Sequence, residues 1–246
     1  MPVGREARVA KDPDAVEAAL RARRSCRAFD SRPVEDVTLR RLFDMAQQTA
    51  SWCNVQPWLV TLLSDPQRAG LEEELLTLVP VSPQRPDLAP PAHYRGSHQD
   101  RRRTAAQALY DAAGVARDDR AARERQAMEN FAFFGAPHVA LVTTPAELGS
   151  YAVMDCGAYV ATFLICAESL GIGAIAQGSI AMHADIVRRQ VDLDPEELLV
   201  CALSFGHPQR GHPVNDVRTG REPVDLVVRG LPPAPARDTE TKEHSP

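Results

Sequence analysis

The stretch LGSYAVMDCGAYVATFLICAESL, residues 148–170, runs directly into GIGAIAQGS, residues 171–179. The first part is apolar on most faces and carries small residues at Gly157, Ala158 and Ala161. That pattern predicts a long buried helix, able to pack closely against another backbone. The second part matches the dinucleotide pattern G-x-G-x-x-G/A over Gly171, Gly173 and Ala176. The fingerprint has physical meaning only where it follows a strand and opens a helix. Here a helix precedes it, so Gly171 reads as that helix's C-terminal cap, and the match is rejected. The glycines would instead let backbone N–H groups approach a ligand closely.

Working outward, residues 14–24 and 33–46 carry apolar residues at helical spacing, the second set starting at Pro33. WLVTLL (58–63), HVALVTT (138–143) and LLVCALSF within 197–205 read as buried strands, and 225–228 as a short fourth. Asp65-Pro66 starts a further helix. Recurring prolines make 79–91 a long loop, and 101–110 and 120–131 read as charged amphipathic helices. Strands and helices do not alternate regularly, which points to an α+β domain rather than a doubly wound one. Expected boundaries are a flexible segment over 1–12, one domain over 13–230, and a disordered Pro-rich tail over 231–246.

The composition narrows the function classes. A net charge of −5 over 246 residues gives no global field for nucleic acid, although arginines cluster at 21–27 and 101–103. Five scattered cysteines, none in a C-x-x-C pair, point to a reduced, cytoplasmic setting. His93 and His98 are the nearest approach to a metal cluster, and they lie in a Pro/Arg-rich loop, so no metal is expected. The polar N-terminus has no signal-peptide core. The apolar run 159–166 is too short to span a membrane, so no membrane association is expected.

Two motifs carry chemistry. Arg23-Arg24-Ser25-Cys26-Arg27 offers guanidinium forks and a hydroxyl, which suit a phosphate, against the bland reading of a solvated helix end. Ser51-Trp52-Cys53-Asn54-Val55-Gln56-Pro57-Trp58 joins a helix to a strand. Pro57 pushes Gln56 toward an extended backbone, leaving Ser51, Asn54 and Gln56 at the strand's mouth to meet a ring edge, with Trp58 as core. No histidine is placed beside Cys53, so thiol catalysis is discounted. Arg218-Thr219-Gly220-Arg221 adds two cations that either complete a phosphate site or form a solvated turn.

In this order, RRSCRAF, SWCNVQPW, 115–137, GIGAIAQGS, LLVCALSFGHP and PVNDVRTGREP resemble the nitroreductase superfamily, and within it the nitrobenzene and nitrobenzoate reductase branch. The resemblance implies an α-β-α sandwich with a mainly antiparallel central sheet, forming an intertwined homodimer with flavin sites shared between subunits. It implies FMN as cofactor and NADH or NADPH as co-substrate. Carried over by motif, Arg23, Arg24, Ser25 and Arg27 hold the flavin, and Arg218 or Arg221 adds to the phosphate grip. Ser51, Trp52 and Asn54 reach the ring from the other subunit, and backbone around Ile175, Gln177 and Gly178 faces it. The chain departs from the family at Thr49-Ala50-Ser51 and at Gly206-His207-Pro208.

The implied reaction passes hydride from a nicotinamide through flavin N5 to a small electron-poor aromatic, with no side chain obliged to act as acid or base. Quinone reduction, reductive dehalogenation and oxygen-dependent flavin chemistry are alternatives of the same superfamily. A flavin storage or sensing protein, and a helical interaction protein using 101–131, are alternatives of other classes.

Overall fold

The computed structural model describes residues 12–232. Apart from Asp12, Leu231 and Pro232, the flexible N-terminus and disordered tail expected from sequence lie outside the described residues. Four strands form one sheet: β1 (Leu59–Leu63), β2 (His138–Pro145), β3 (Gly173–Gln177) and β4 (Glu197–Gly206). Their order is β1-β2-β4-β3, and every pair is antiparallel.

Helices cover both faces, giving the α-β-α sandwich. On one face α6 (Gly149–Ser169) packs against β2, β3, β4 and α2 (Asp36–Ala46). Phe43, Phe163 and Phe205 meet there with ring centroids 5.3–6.1 Å apart. On the other face α3 (Gln67–Leu78) and α8 (Ala184–Gln190) share a core with Phe131, Phe133 and Phe134. Strand periodicity feeds both layers. Val139 and Leu141 point into the second core, while Ala140 and Val142 point into the first.

A register shift between Val142 and Thr143 keeps this sorting consistent. Cys201 pairs with Val142 and Leu199 with Thr143, so Val200 is the extra residue of a β-bulge. The bulge reverses the parity of β4: Leu199 belongs to the α3/α8 core and Cys201 to the α6 core, although both are odd-numbered.

The structure corrects several sequence readings. The fourth strand is Gly173–Gln177, within the glycine-bearing stretch after the long helix for which the sequence suggested ligand contact and no strand. Gly171, at φ 71°, ends α6, and the chain then pairs along β4. Residues 225–228 are no strand: a 3-10 turn occupies Val224–Leu226, with no neighbouring strand to pair with. Gln56 is not extended. It sits at φ 51°, held by a 2.9 Å hydrogen bond from its N–H to Ser51 Oγ and by its side chain bridging Gln47 and Asn54.

The apolar run of α6 is also longer than 159–166. An 18-residue window within Ala146–Ser169 has a mean hydropathy of 1.4, and the segment is, by length and composition alone, long and apolar enough to cross a membrane. In the fold Cys156, Tyr159, Phe163 and Ala167 bury one of its faces in the core. Its opposite face leaves Tyr151 and Met154 more than half exposed.

Two further helices were not read from sequence, α7 (Gly178–Ala181) and α8. Between β1 and β2, α4 (Gly96–Ala112) and α5 (Arg120–Met128) form a charged helical excursion, and α4 starts five residues earlier than the sequence reading placed it.

Candidate active site

The site begins where α1 (Pro13–Ala22) stops. Asp12 caps that helix, its Oδ1 accepting from Ala15 N–H at 3.1 Å, with Pro13 in the first turn where its missing N–H costs nothing. The helix ends at Ala22, two residues before the end expected from sequence, and Arg23 turns out at φ −55°, ψ 126°. The arginine run therefore leaves the helix as an extended segment. Ser25 bridges Ala174 in parallel, and Cys26 N–H donates to the Ala174 carbonyl at 3.1 Å. Gly173 permits this approach, because a Cβ there would lie 2.8 Å from Cys26 Sγ.

The same bond shows which way β3 faces. The Ala174 carbonyl points away from β4, so strand alternation turns the backbone groups of Ala176 toward the same open edge. Ala176 is the exposed residue of β3. Ile175 and Gln177 are buried on the far side. The Gln177 amide donates to Asn130 O at 2.7 Å and its Oε1 accepts from Ser204 Oγ. Their side chains are therefore committed to the core, and the free hydrogen-bonding edge belongs to Ala176, a residue the sequence reading passed over. Gly178 follows at the start of α7.

Beside this edge lies a cavity of about 400 Å³ lined by Arg23, Arg24, Ser25, Arg27, Arg218, Thr219 and Arg221, with Arg21 and Glu17 at its rim. The structure thus brings both predicted cationic motifs to one place, although nearly two hundred residues of sequence separate them. Glu17 already pairs with Arg21 at 2.5 Å. Among the described residues, no carboxylate pairs with Arg23, Arg24, Arg27, Arg218 or Arg221. Arg221 folds onto Thr219 and Gly220, and Arg218 reaches Asn215 O at only 3.4 Å. Like charges gathered this closely repel unless an anion joins them.

Arg27 is the most enclosed of these cations, and burial pushes its guanidinium pKa down. Asn215, 3% exposed, fixes its backbone. Its Oδ1 accepts from Arg27 N–H at 2.8 Å, and its Nδ2 donates to Ala28 O at 2.8 Å and Gln209 O at 3.2 Å. This asparagine sits in the PVND segment beside the predicted arginines, and only its place before the basic pair hinted at a role. Cys26 is buried, its thiol pushed up to about 11 by desolvation, which suits packing rather than nucleophilic chemistry.

The second predicted motif lies elsewhere in the chain. Trp52, Val55 and Pro57 line a separate cavity of about 220 Å³ with Leu148, Tyr151, Ala152 and Asp155 of the α6 region. No residue lines both this cavity and the arginine one. Trp52 N–H donates to the buried Asp155 carboxylate at 3.0 Å, and its ring meets Tyr151 edge-on at 4.2 Å. Cys53, Asn54 and Gln56 all take positive φ, at 48°, 57° and 51°. Three strained non-glycine residues in four positions mark a turn held in shape by its surroundings, a pattern that clusters at ligand sites. Ser51 Oγ is occupied by Gln56 N–H, while Trp52, Cys53 and Asn54 are exposed. One chain therefore carries two separate features: an arginine cavity on a sheet edge, and an exposed aromatic turn on the open face of α6.

Known proteins share this arrangement of elements. The profile of the Nitroreductase family matches residues 20–207. The nitroreductase NfnB of Mycolicibacterium smegmatis is 32% identical over 221 residues, covering 87% of this chain and 92% of that protein. A 4-nitrobenzoate reductase of a Nocardioides species is 30% identical over 223 residues, covering 89% and 90%. The crystal structure of the FMN-dependent nitroreductase NfnB from Mycobacterium smegmatis, in complex with NADPH, superposes with a TM-score of 0.84 at 30% identity, over 89% of this chain and 99% of that one.

Proposed function

Because this chain belongs to the Nitroreductase family, we propose that residues 13–230 act as one FMN-dependent oxidoreductase unit. It takes hydride from NADH or NADPH and reduces nitroaromatic or related electron-poor acceptors. The observation that carries the reading is the arginine cavity beside the open edge of β3. It gathers cations that no carboxylate neutralises, next to backbone groups that no strand pairs.

These features fit FMN part by part. A phosphate takes charge-assisted hydrogen bonds from Arg23, Arg24, Ser25 and Arg218 or Arg221. The edge groups of Ala176 and the N–H of Gly178 suit the polar edge of a flat ring. When bound, the flavin accepts two electrons from the nicotinamide and yields them to the acceptor. Arg27, held by Asn215 and desolvated, supplies a fixed positive charge where negative charge builds on reduction. Solvent supplies the protons, and no side chain is assigned the part of acid or base.

The two features are half-sites joined in a homodimer. Trp52, Val55, Leu62, Tyr151 and Met154 are exposed apolar residues of the aromatic turn, the α6 side of β1 and the open face of α6. Pairing two chains through this face buries them and brings Ser51, Trp52 and Asn54 of one chain over the arginine cavity of the other.

Anaerobic reduction of the FMN-loaded protein by NADPH and by NADH, then reoxidation with 4-nitrobenzoate and with a quinone, tests this reading. Rapid bleaching and recolouring by the nitro compound support it. A flavin that recolours only with the quinone reassigns the acceptor, and a flavin that neither nicotinamide bleaches contradicts the enzyme reading.

A further inference from the structure

A second arginine cluster stands apart from the first. Between α4 and α5 an open groove of about 830 Å³ is lined by Arg102, Arg103 and Tyr110 of α4, Arg117 of the connecting hairpin and Arg123 of α5. Asp111 is its one lining carboxylate, and it is taken by Gln107 Nε2 at 2.6 Å. Neighbouring arginines find acids. Arg101 pairs with Glu222 and Arg120 with Glu124, each at 2.8 Å. Among the described residues the four groove arginines pair with none. Arg123 lies over the Tyr110 ring at 4.5 Å, with its Nε shut off from solvent and without a hydrogen-bond partner.

The groove adjoins the flavin half-site. Thr104 and Ala108 of α4 line both it and a second cavity, which contains Arg218, Thr219 and Arg221. Those three residues also line the arginine cavity assigned to FMN. One helix, about 10 Å across, thus separates the two arginine clusters.

We propose that this groove binds the 2′-phosphate end of NADPH and so selects NADPH over NADH, a proposal that rests on the flavin-enzyme reading above. The 2′-phosphate is the group by which the two donors differ. It is a compact anion with several acceptor oxygens, the geometry arginine forks recognise. Tyr110 supplies a flat wall beside them. The cluster is too small, and the chain too acidic overall, to favour a nucleic acid strand.

The test has two arms. Calorimetric titration of the whole protein with 2′,5′-ADP needs no flavin turnover. It should show binding, with 5′-AMP and inorganic phosphate at least tenfold weaker. Steady-state kinetics of Arg103→Gln/Arg117→Gln should then show KM for NADPH raised about tenfold, the size expected for losing charged contacts in an exposed groove. KM for NADH should move less than twofold, with flavin content unchanged. Arg103→Lys/Arg117→Lys should restore part of the NADPH affinity. Equal loss for both donors, equal binding of 5′-AMP, or displacement of 2′,5′-ADP by a short oligonucleotide at similar concentration overturns the proposal. A protein that binds 2′,5′-ADP but no flavin would instead refute the enzyme reading and leave the anion site standing.

Discussion

Two arginine clusters in one chain differ in how they are held. The inner one, Arg23 to Arg27, hangs from the β3 edge by the Ser25–Ala174 bridge and is locked by the buried Asn215. The outer one, on α4 and α5, stands on helices that contribute no buried residue to the core. The inner cluster is preorganised, so a bound anion meets donors already in place. The outer one must be ordered by its ligand, and side-chain entropy offsets part of each contact. Equal charge therefore predicts unequal binding, and the difference teaches that position in the fold, more than arginine count, sets affinity.

The comparison breaks most sharply at Arg27. Arg27→Ala should weaken FMN binding about 10- to 100-fold, the loss expected for a sheltered charge-assisted contact. Arg102→Ala should change FMN affinity by less than about twofold, since it lies outside the arginine cavity. Fluorescence titration of FMN into both variants checks this, and similar losses would erase the distinction between the clusters.

Asn215→Ala removes three hydrogen bonds at once, leaving Ala28 and Gln209 carbonyls and the Arg27 N–H without it. It should destabilise the protein by about 1–3 kcal/mol and weaken FMN roughly tenfold, read by urea denaturation and by the same titration. Unchanged FMN affinity in a destabilised variant would make Asn215 a purely structural residue. Trp52→Ala removes an exposed aromatic side chain from the proposed dimer face and should loosen the dimer by about 1 kcal/mol. Sedimentation on dilution measures this, and an undisturbed dimer would place the interface elsewhere.

The smallest effect concerns pH. His138 is buried in β2, its Nε2 accepting from Val34 N–H at 3.0 Å, so its proton sits on Nδ1, 2.9 Å from Ser64 Oγ. Burial lowers its pKa, and burial likewise lowers that of His183. Both groups are held neutral in the folded state while the unfolded chain takes up protons near 6.5. Their contribution is complete above that pH and is lost as pH falls through it. Melting temperature should therefore drop on acidification from pH 7 to 5, and His138→Gln should flatten the slope.

Much of this was legible in the sequence. Long periodic elements such as α6, β2 and β4 announced themselves, and rejection of the GIGAIA fingerprint held because a helix does precede Gly171. The cationic motifs could be named, though only folding brings 23–27 and 218–221 together. β3 was missed because five residues with a glycine and two alanines look like a turn until β4 offers a partner. The run 225–228 was misread for the converse reason, as apolar residues without a strand to pair with. Asn215 and the edge of Ala176 were hidden because their value lies in which distant backbone groups folding brings beside them, which local sequence does not encode.

The central claim is a flavin gripped by the Arg23–Arg27 cavity of one chain and covered by the Trp52 turn of another. The most direct measurement mixes two weakened variants, Arg27→Ala and a Trp52→Ala/Asn54→Ala double variant, unfolds them together and refolds them at an FMN concentration that fills the unaltered protein but neither variant. Each mixed dimer would hold one intact composite site, so the account predicts flavin binding and NADPH-dependent bleaching restored in the mixture but in neither variant alone. A mixture as inactive as its components, with mixed dimers present, would contradict it.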